Sequence, residues 1–298
     1  MVKWEYMKKI LLSIISVCIL SAALQARTVD VTASYTGTSH FNKVTAGATV
    51  ALSLNTLAGI QARYANEDAF KDPIYSVYLP IHMDFDFLKL NLTPFYYFKN
   101  KSDDTQYQDA SAFGINSRLI ITMQNDEVND LYTHAFIGAS FARQKGTLTF
   151  DDSTLSNQYY SEAAYSLGLH KDFYRAFGFE LIGTLFHYPD GITGVKAFRG
   201  IMDQQDLAST QTLDITHDLP KYAVGTRLTR MWADDGSSIY VSYRFGEYHT
   251  VDSEHSFIVG NSFILGNVVS ADMAYNHVRT VHNKDKRDIF YIRLGVSF

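Results

Sequence analysis

The chain of 298 residues has a single cysteine, Cys18, so no disulfide framework holds its fold together. Cys18 lies inside an apolar run near the N-terminus and follows Val17, a poor context for lipid attachment. Prolines number 5 and tryptophans 2. After residue 26 no stretch is long and apolar enough to cross a bilayer as a helix, which takes about 20 residues. A basic excess is also missing: 26 Lys and Arg against 31 Asp and Glu give a formal charge of −5, a balance that argues against nucleic acid as a partner. No Pro/Gly/Ser linker and no repeat of 20 to 50 residues divides the chain. One domain is the economical expectation.

What the chain does have begins at Met7. Lys8 and Lys9 follow it, then an apolar run from Ile10 to Leu20, then Ser21, Ala22 and Ala23. This is the order of a secretory signal peptide, with Met7 as the expected start and cleavage after Ala23 or Ala26. The expected organisation is a signal peptide over 1–26 and a single domain over 27–298. Removing 1–26 takes away three lysines and one glutamate and moves the formal charge from −5 to −7.

Beyond that point the hydrophobic pattern has period two, the signature of strands with one oily and one polar face. Val44, Ala46, Ala48 and Val50 alternate with Thr45, Gly47 and Thr49; Tyr75, Val77, Leu79, Ile81 and Met83 alternate with Ser76, Tyr78, His82 and Asp84; Leu88, Leu90 and Leu92 alternate with Lys89, Asn91 and Thr93. The rhythm continues through about 107–123, 131–143, 157–169, 175–187, 221–232, 237–248, 255–265, 268–279 and 288–298. The segment 157–169 is rich in Tyr and Ala, and 175–187 is apolar on both faces in places. The count predicts an all-β, transmembrane antiparallel up-and-down barrel of about fourteen strands, with twelve or sixteen as alternatives. Sixteen requires 192–201 and 207–219 to be strands. The reading preferred for 188–220 is a long outer loop, and an inward-folded constriction is a third option. Connections at 55–56, 86–87, 124–130, 170–174, 233–236 and 266–267 should be the short ones. Those at 39–43, 66–73, 100–106, 144–156, 188–220, 249–254 and 280–287 should be longer and more polar.

The last strand carries the most specific signal. Phe290, Ile292, Leu294, Val296 and Phe298 alternate with Tyr291, Arg293, Gly295 and Ser297. This resembles the C-terminal signal strand of bacterial outer-membrane β-barrel proteins, which the insertion machinery reads. Val296 departs from the aromatic often found at that position. The strand number and length also look like those of the monomeric general porins. The fatty-acid transporters share the strand number but carry a plug before the first strand, and the first strand here is expected within a few residues of either cleavage site. The resemblance implies the bacterial outer membrane as address. As partners it implies the insertion machinery, outer-membrane lipid and lipopolysaccharide, and small-molecule solutes. It carries over no functional residue; a passive channel needs no cofactor, and with no cysteine beyond Cys18 no metal site is expected.

Function should then lie on the inward positions: Arg63, Lys89, Arg118, Arg227, Arg244 and Arg293 on the basic side, and Asp30, Asp84, Glu162, Glu180 and Asp272 on the acidic side. Mixed charge either sets a field across a wet pore or pairs into a network that closes it. A barrel of fourteen strands exceeds the roughly eight-stranded size that side chains fill. A narrow water-filled pore is therefore the leading expectation, and a passive channel for small solutes the leading function. A non-conducting surface or adhesion barrel is the second reading. A lipid-modifying enzyme is the third: it needs Ser, His and a carboxylate together at the outer rim. The nearest cluster, Glu254-His255-Ser256, puts neighbours on opposite faces. His134, His187, His170-Lys171-Asp172 and His217-Asp218 read more simply as rim or lining residues. Asp103-Asp104 and Asp151-Asp152 read as solvated loop charge.

Overall fold

The computed structural model describes residues 28–38, 41–67, 73–101, 107–126, 131–150, 153–173, 177–191, 219–233, 236–249, 252–266, 268–281 and 286–298. The expected signal peptide at 1–26 lies outside them, as do 192–201 and all of 207–219 but Leu219. All regular structure among the described residues is β. In chain order the segments are β1 (Val29–Gly37), β2 (Phe41–Ser53), β3 (Thr56–Glu67), β4 (Ile74–Tyr78), β5 (Ile81–Phe85), β6 (Leu88–Lys101), β7 (Tyr107–Asp126), β8 (Leu131–Phe150), β9 (Ser153–Phe173), β10 (Phe177–His187), β11 (Pro220–Met231), β12 (Ser238–Tyr248), β13 (Glu254–Leu265), β14 (Val269–Thr280) and β15 (Lys286–Ser297).

β4 and β5 make one crossing. Both pair with β3 and with β6. The break falls at Pro80, which has no N–H to give the ladder. The hydrogen bonds otherwise continue through it: Gly59 N–H donates to the Pro80 carbonyl at 2.8 Å and Leu79 N–H to the Pro94 carbonyl at 2.9 Å. The described residues thus form fourteen crossings, each antiparallel to its neighbours. β1 pairs with β2 on one side and β15 on the other, with Ser34 opposite Arg293 and Tyr35 opposite Ile292. Val29 and Phe298 exchange two backbone hydrogen bonds at this seam, 3.2 and 2.9 Å long. The sheet therefore closes on itself and keeps no open edge, the condition for strands to sit in hydrocarbon.

Both chain ends of the barrel lie on one rim, and its turns are short. Residues 54–55 and 86–87 are two-residue turns, with Asp86 at a φ of 54° that a short polar side chain tolerates. At the opposite rim the connection after β10 spans 188–219. One expected loop is corrected. Residues 144–156 are mostly strand, because β8 runs to Phe150 and β9 starts at Ser153, leaving only 151–152 between them. The ladder continues there through Lys145 opposite Tyr159 and Thr149 opposite Thr154. Backbone pairing needs no oily face, so a mostly polar stretch can keep the ladder without a strong period-two signal. The connection expected at 170–174 is corrected likewise, since β9 continues to Phe173 and places His170, Lys171 and Asp172 in the wall.

Residues expected to face outward do so. On β15, Phe290, Leu294 and Phe298 are 59, 53 and 69% exposed, and Ile292 and Val296 share that face. Aromatic side chains gather at the two margins of this outer surface. Near the far rim lie Tyr35, Tyr75, Tyr96, Phe98, Tyr275 and Phe290, several in ring contact: Tyr64 with Tyr75 at 5.6 Å, Tyr96 with Phe98 at 5.1 Å, and Tyr275 with Phe290 at 5.3 Å. Near the terminal rim lie Phe85, Phe87, Phe173, Phe177 and Trp232, the last packed on Phe263 at 5.8 Å. Two aromatic girdles around an aliphatic band match the two polar–apolar boundaries of a bilayer.

Candidate functional site

The interior is not uniformly polar, and here the reading of a wet lumen is refined. Inward side chains from β4, β6, β8 and β10 form an apolar cluster that includes Tyr78, Phe95, Tyr97, Phe136, Ile182 and Phe186. A second, smaller cluster joins Tyr240, Ile258, Ala274 and Tyr291. Three of these rings lie across a glycine on the neighbouring strand: Phe95 over Gly114, Phe136 over Gly168 and Tyr240 over Gly260. A Cβ at any of the three would run into the ring, so glycine is required there by close approach. The inward aromatics thicken part of the wall and narrow the bore.

Beside these clusters lies a cavity of about 550 Å³ along β15, β1, β2, β3 and the crossings that follow. Its wall is rich in hydroxyl and amide groups, among them Thr32, Ser34, Thr45, Gln61, Asn91 and Thr93. Cross-strand register explains why these groups line up. Arg293, Ser34, Thr45, Arg63 and Ser76 are successive partners across β15, β1, β2, β3 and β4. His82, Asn91, Arg118, Gly138 and Ser166 are successive partners across β5 to β9. His82 Nδ1 and Asn91 Oδ1 lie 2.8 Å apart. The Arg63 guanidinium sits over the Tyr78 ring at 4.5 Å, and Arg118 over Phe136 at 5.0 Å. The apolar cluster thus also holds two of the cations by their faces.

The expected lining residues fall into four groups. Asp30, Arg63, Arg118 and Arg293 line the cavity. Arg227 and Asp272 face the lumen through Tyr240, whose hydroxyl donates to Asp272 Oδ1 at 3.0 Å while Arg227 stacks on its ring at 3.8 Å. Asp84 and Lys89 pair with each other at 2.9 Å near the terminal rim. The others point inward but are sealed from solvent: Glu162, Glu180 and Arg244 are 1, 9 and 5% exposed. Glu180 meets His170, which also contacts Asp172 at 3.1 Å, and His170 stacks on His134 at 6.0 Å. Glu162 Oε1 has no hydrogen-bond partner.

Sequence reasoning missed Lys43 and His82 in the cavity wall, although both share their strand's polar face. It also missed the His134–His170–Asp172–Glu180 group, for which the alternation of His170 and Asp172 on one face was the available signal. In the cluster weighed for catalysis, His255 faces outward and its Nδ1 lies 2.7 Å from the Tyr243 hydroxyl. Ser256 faces inward and donates to Asn276 at 2.9 Å, while Glu254 pairs with Arg287. The structure does not bring the three together. His187 is exposed on the outer face. His217-Asp218 and Asp103-Asp104 lie outside the described residues, as does Asp151-Asp152. In the far-rim connection the Tyr188 hydroxyl donates to the Pro220 carbonyl at 2.9 Å, and burial pushes its pKa up. Burial, aided by the Lys221 charge, pushes the neighbouring His249 imidazole down. Both groups are uncharged at neutral pH.

CdiB from Acinetobacter baumannii has a similar structure, with a TM-score of 0.54 at 9% identity; the match covers 92% of this chain, which spans only 60% of the CdiB length. This protein has the fold of a bacterial outer-membrane β-barrel. The CymD monoaromatic hydrocarbon channel aligns over 91% of this chain and 87% of its own, at 7% identity and a TM-score of 0.48. For the NanC porin the shares are 90% and 98%, with 9% identity and a TM-score of 0.44. No protein-family model and no curated protein matches the sequence.

Proposed function

We propose that this protein is a passive outer-membrane pore for small polar solutes. The observation that carries the reading is the polar cavity of about 550 Å³ inside a closed wall of strands. Solutes moving down a gradient need only a hydrated path, and a fixed hydroxyl and amide lining lowers the cost of shedding part of their water. The short turns and both chain ends belong on the periplasmic side and the 188–219 connection outside. In this reading the 1–26 segment directs export and is removed after Ala23 or Ala26. The β15 face from Phe290 to Phe298 engages the insertion machinery, and the outer aromatic girdle meets lipopolysaccharide. Purified full-length protein in planar bilayers is expected to give discrete conductance steps in potassium chloride. A flat trace from folded, heat-modifiable protein would end the pore reading.

The second reading, a surface barrel that binds a partner, has one observation of its own. β7, β8 and β9 run to 20, 20 and 21 residues. At about 3.3 Å per residue and a tilt near 40° they rise some 50 Å, roughly twice the apolar band of about 25 Å. Part of this hairpin therefore stands clear of the membrane. Removing residues 144–158 separates the readings: a pore keeps its conductance steps, whereas a surface receptor loses its partner.

A further inference from the structure

The two signs of charge are sorted inside this barrel. The inward acids are taken up locally: Asp84 by Lys89, Glu254 by Arg287, and Asp172 and Glu180 by His170. Asp272 sits among Tyr240, Arg227 and Arg293, and Glu162 is sealed in the wall. The cavity collects the opposite sign. Lys43, Arg63 and Arg118 line it together with Arg293, which also neighbours Asp272, and among its described lining residues Asp30 is the one carboxylate. This happens in a chain whose formal charge is −5, so the local excess of cations is not a reflection of composition.

The geometry adds shape to the charge. Arg293 and Arg63 bracket Ser34 and Thr45 along one row of partners, three strand spacings of about 4.8 Å apart. Arg118 lies on the second row of partners with Asn91 and His82. Stacking on Tyr78 and Phe136 fixes the positions of the Arg63 and Arg118 guanidinium groups in the cavity wall. A volume of about 550 Å³ falls within the range of roughly 300–1,000 Å³ for small-molecule sites. Low-dielectric walls of one sign concentrate the opposite ion. The hydroxyl and amide groups between the cations match a ligand that carries hydroxyls as well as charge.

We propose that the cavity selects small hydroxylated anions, of the sugar-acid class, over neutral or cationic solutes of the same size. The inference rests on the pore reading for transport but concerns the cavity itself, so flow and binding are measured separately. In bilayers under a potassium chloride gradient, the reversal potential should show chloride passing several-fold more readily than potassium. In liposome swelling, glucuronate should enter several-fold faster than glucose. Arg63→Glu with Arg293→Glu should reverse the ion preference. If that pair does not fold, Arg63→Gln should reduce it, and the wild-type reversal potential already decides the sign. Equilibrium dialysis of glucuronate against glucose tests the cavity without requiring flow. A cation-preferring conductance, or glucose entering as fast as glucuronate, overturns the inference and leaves the pore standing. Preferential glucuronate binding without conductance upholds the anion site and ends the pore reading. Neither binding nor conductance ends both.

Discussion

Leu294→Arg is expected to destabilise the barrel in lipid by about 2–4 kcal/mol, the cost of a cationic side chain on the lipid face near the bilayer midplane. Leu294 is 53% exposed at the centre of the outward run from Phe290 to Phe298. The chain already carries an arginine one residue earlier. Arg293 costs nothing comparable, because successive side chains of a strand point to opposite faces and its own faces the polar cavity beside Asp272. Thr32→Arg, which adds the same group to the cavity wall, should change stability by less than about 1 kcal/mol. Urea unfolding in phospholipid vesicles reads both variants. Equal costs at the two positions would mean that the two faces of β1 and β15 do not see different solvents.

Gly260→Val should be the most damaging change inside the lumen. The Tyr240 ring lies where a side chain at residue 260 would begin. The ring cannot move freely, since Arg227 is stacked on it at 3.8 Å and its hydroxyl holds Asp272 at 3.0 Å. Overpacking of this kind costs about 1–3 kcal/mol, and pulling the hydroxyl from a half-buried carboxylate adds about 1–3 kcal/mol. Tyr240→Phe keeps the ring and removes only the hydrogen bond, so it should show the second loss alone. Tyr240→Ala in the Gly260→Val background should recover the overpacking part. A Gly260→Val protein as stable as the parent would show that the ring does not cross the glycine.

The fold was legible because its signal is local. Alternation along β2, β6 and β15 needs no knowledge of neighbours, and it led to fourteen crossings with the oily run of β15 on the outer face. Two kinds of structure were less legible. Toward the far rim β8 and β9 continue as a backbone ladder through residues 144–150 and 153–156, where polar and charged residues outnumber apolar ones and the sequence looks like a loop. Inside the barrel, Ile182 and Phe186 make β10 apolar on both faces. That pattern is visible in the sequence, but whether such a strand is buried by neighbours or exposed to a bore depends on what stands opposite. The rings over Gly114, Gly168 and Gly260 likewise follow from register across two strands. The candidate site was half legible: its residue types lie on the inward faces, whereas the sorting of cations into the cavity and acids into pairs is a property of strand order. Once the ring is closed, Arg293, Ser34, Thr45 and Arg63 fall in one row.

The account turns on inward positions meeting water and outward positions meeting lipid. With Cys18→Ser the chain has no thiol, so single cysteines report their own surroundings without background. A small, charged, membrane-impermeant thiol reagent applied to the folded protein in vesicles should modify cysteines at Thr45, Thr49, Asn91 and Thr93. Those at Val44, Val50, Leu90 and Leu92 should stay protected. Uniform labelling along either strand, or labelling with the opposite phase, would contradict a hydrated lumen inside a lipid-facing ring.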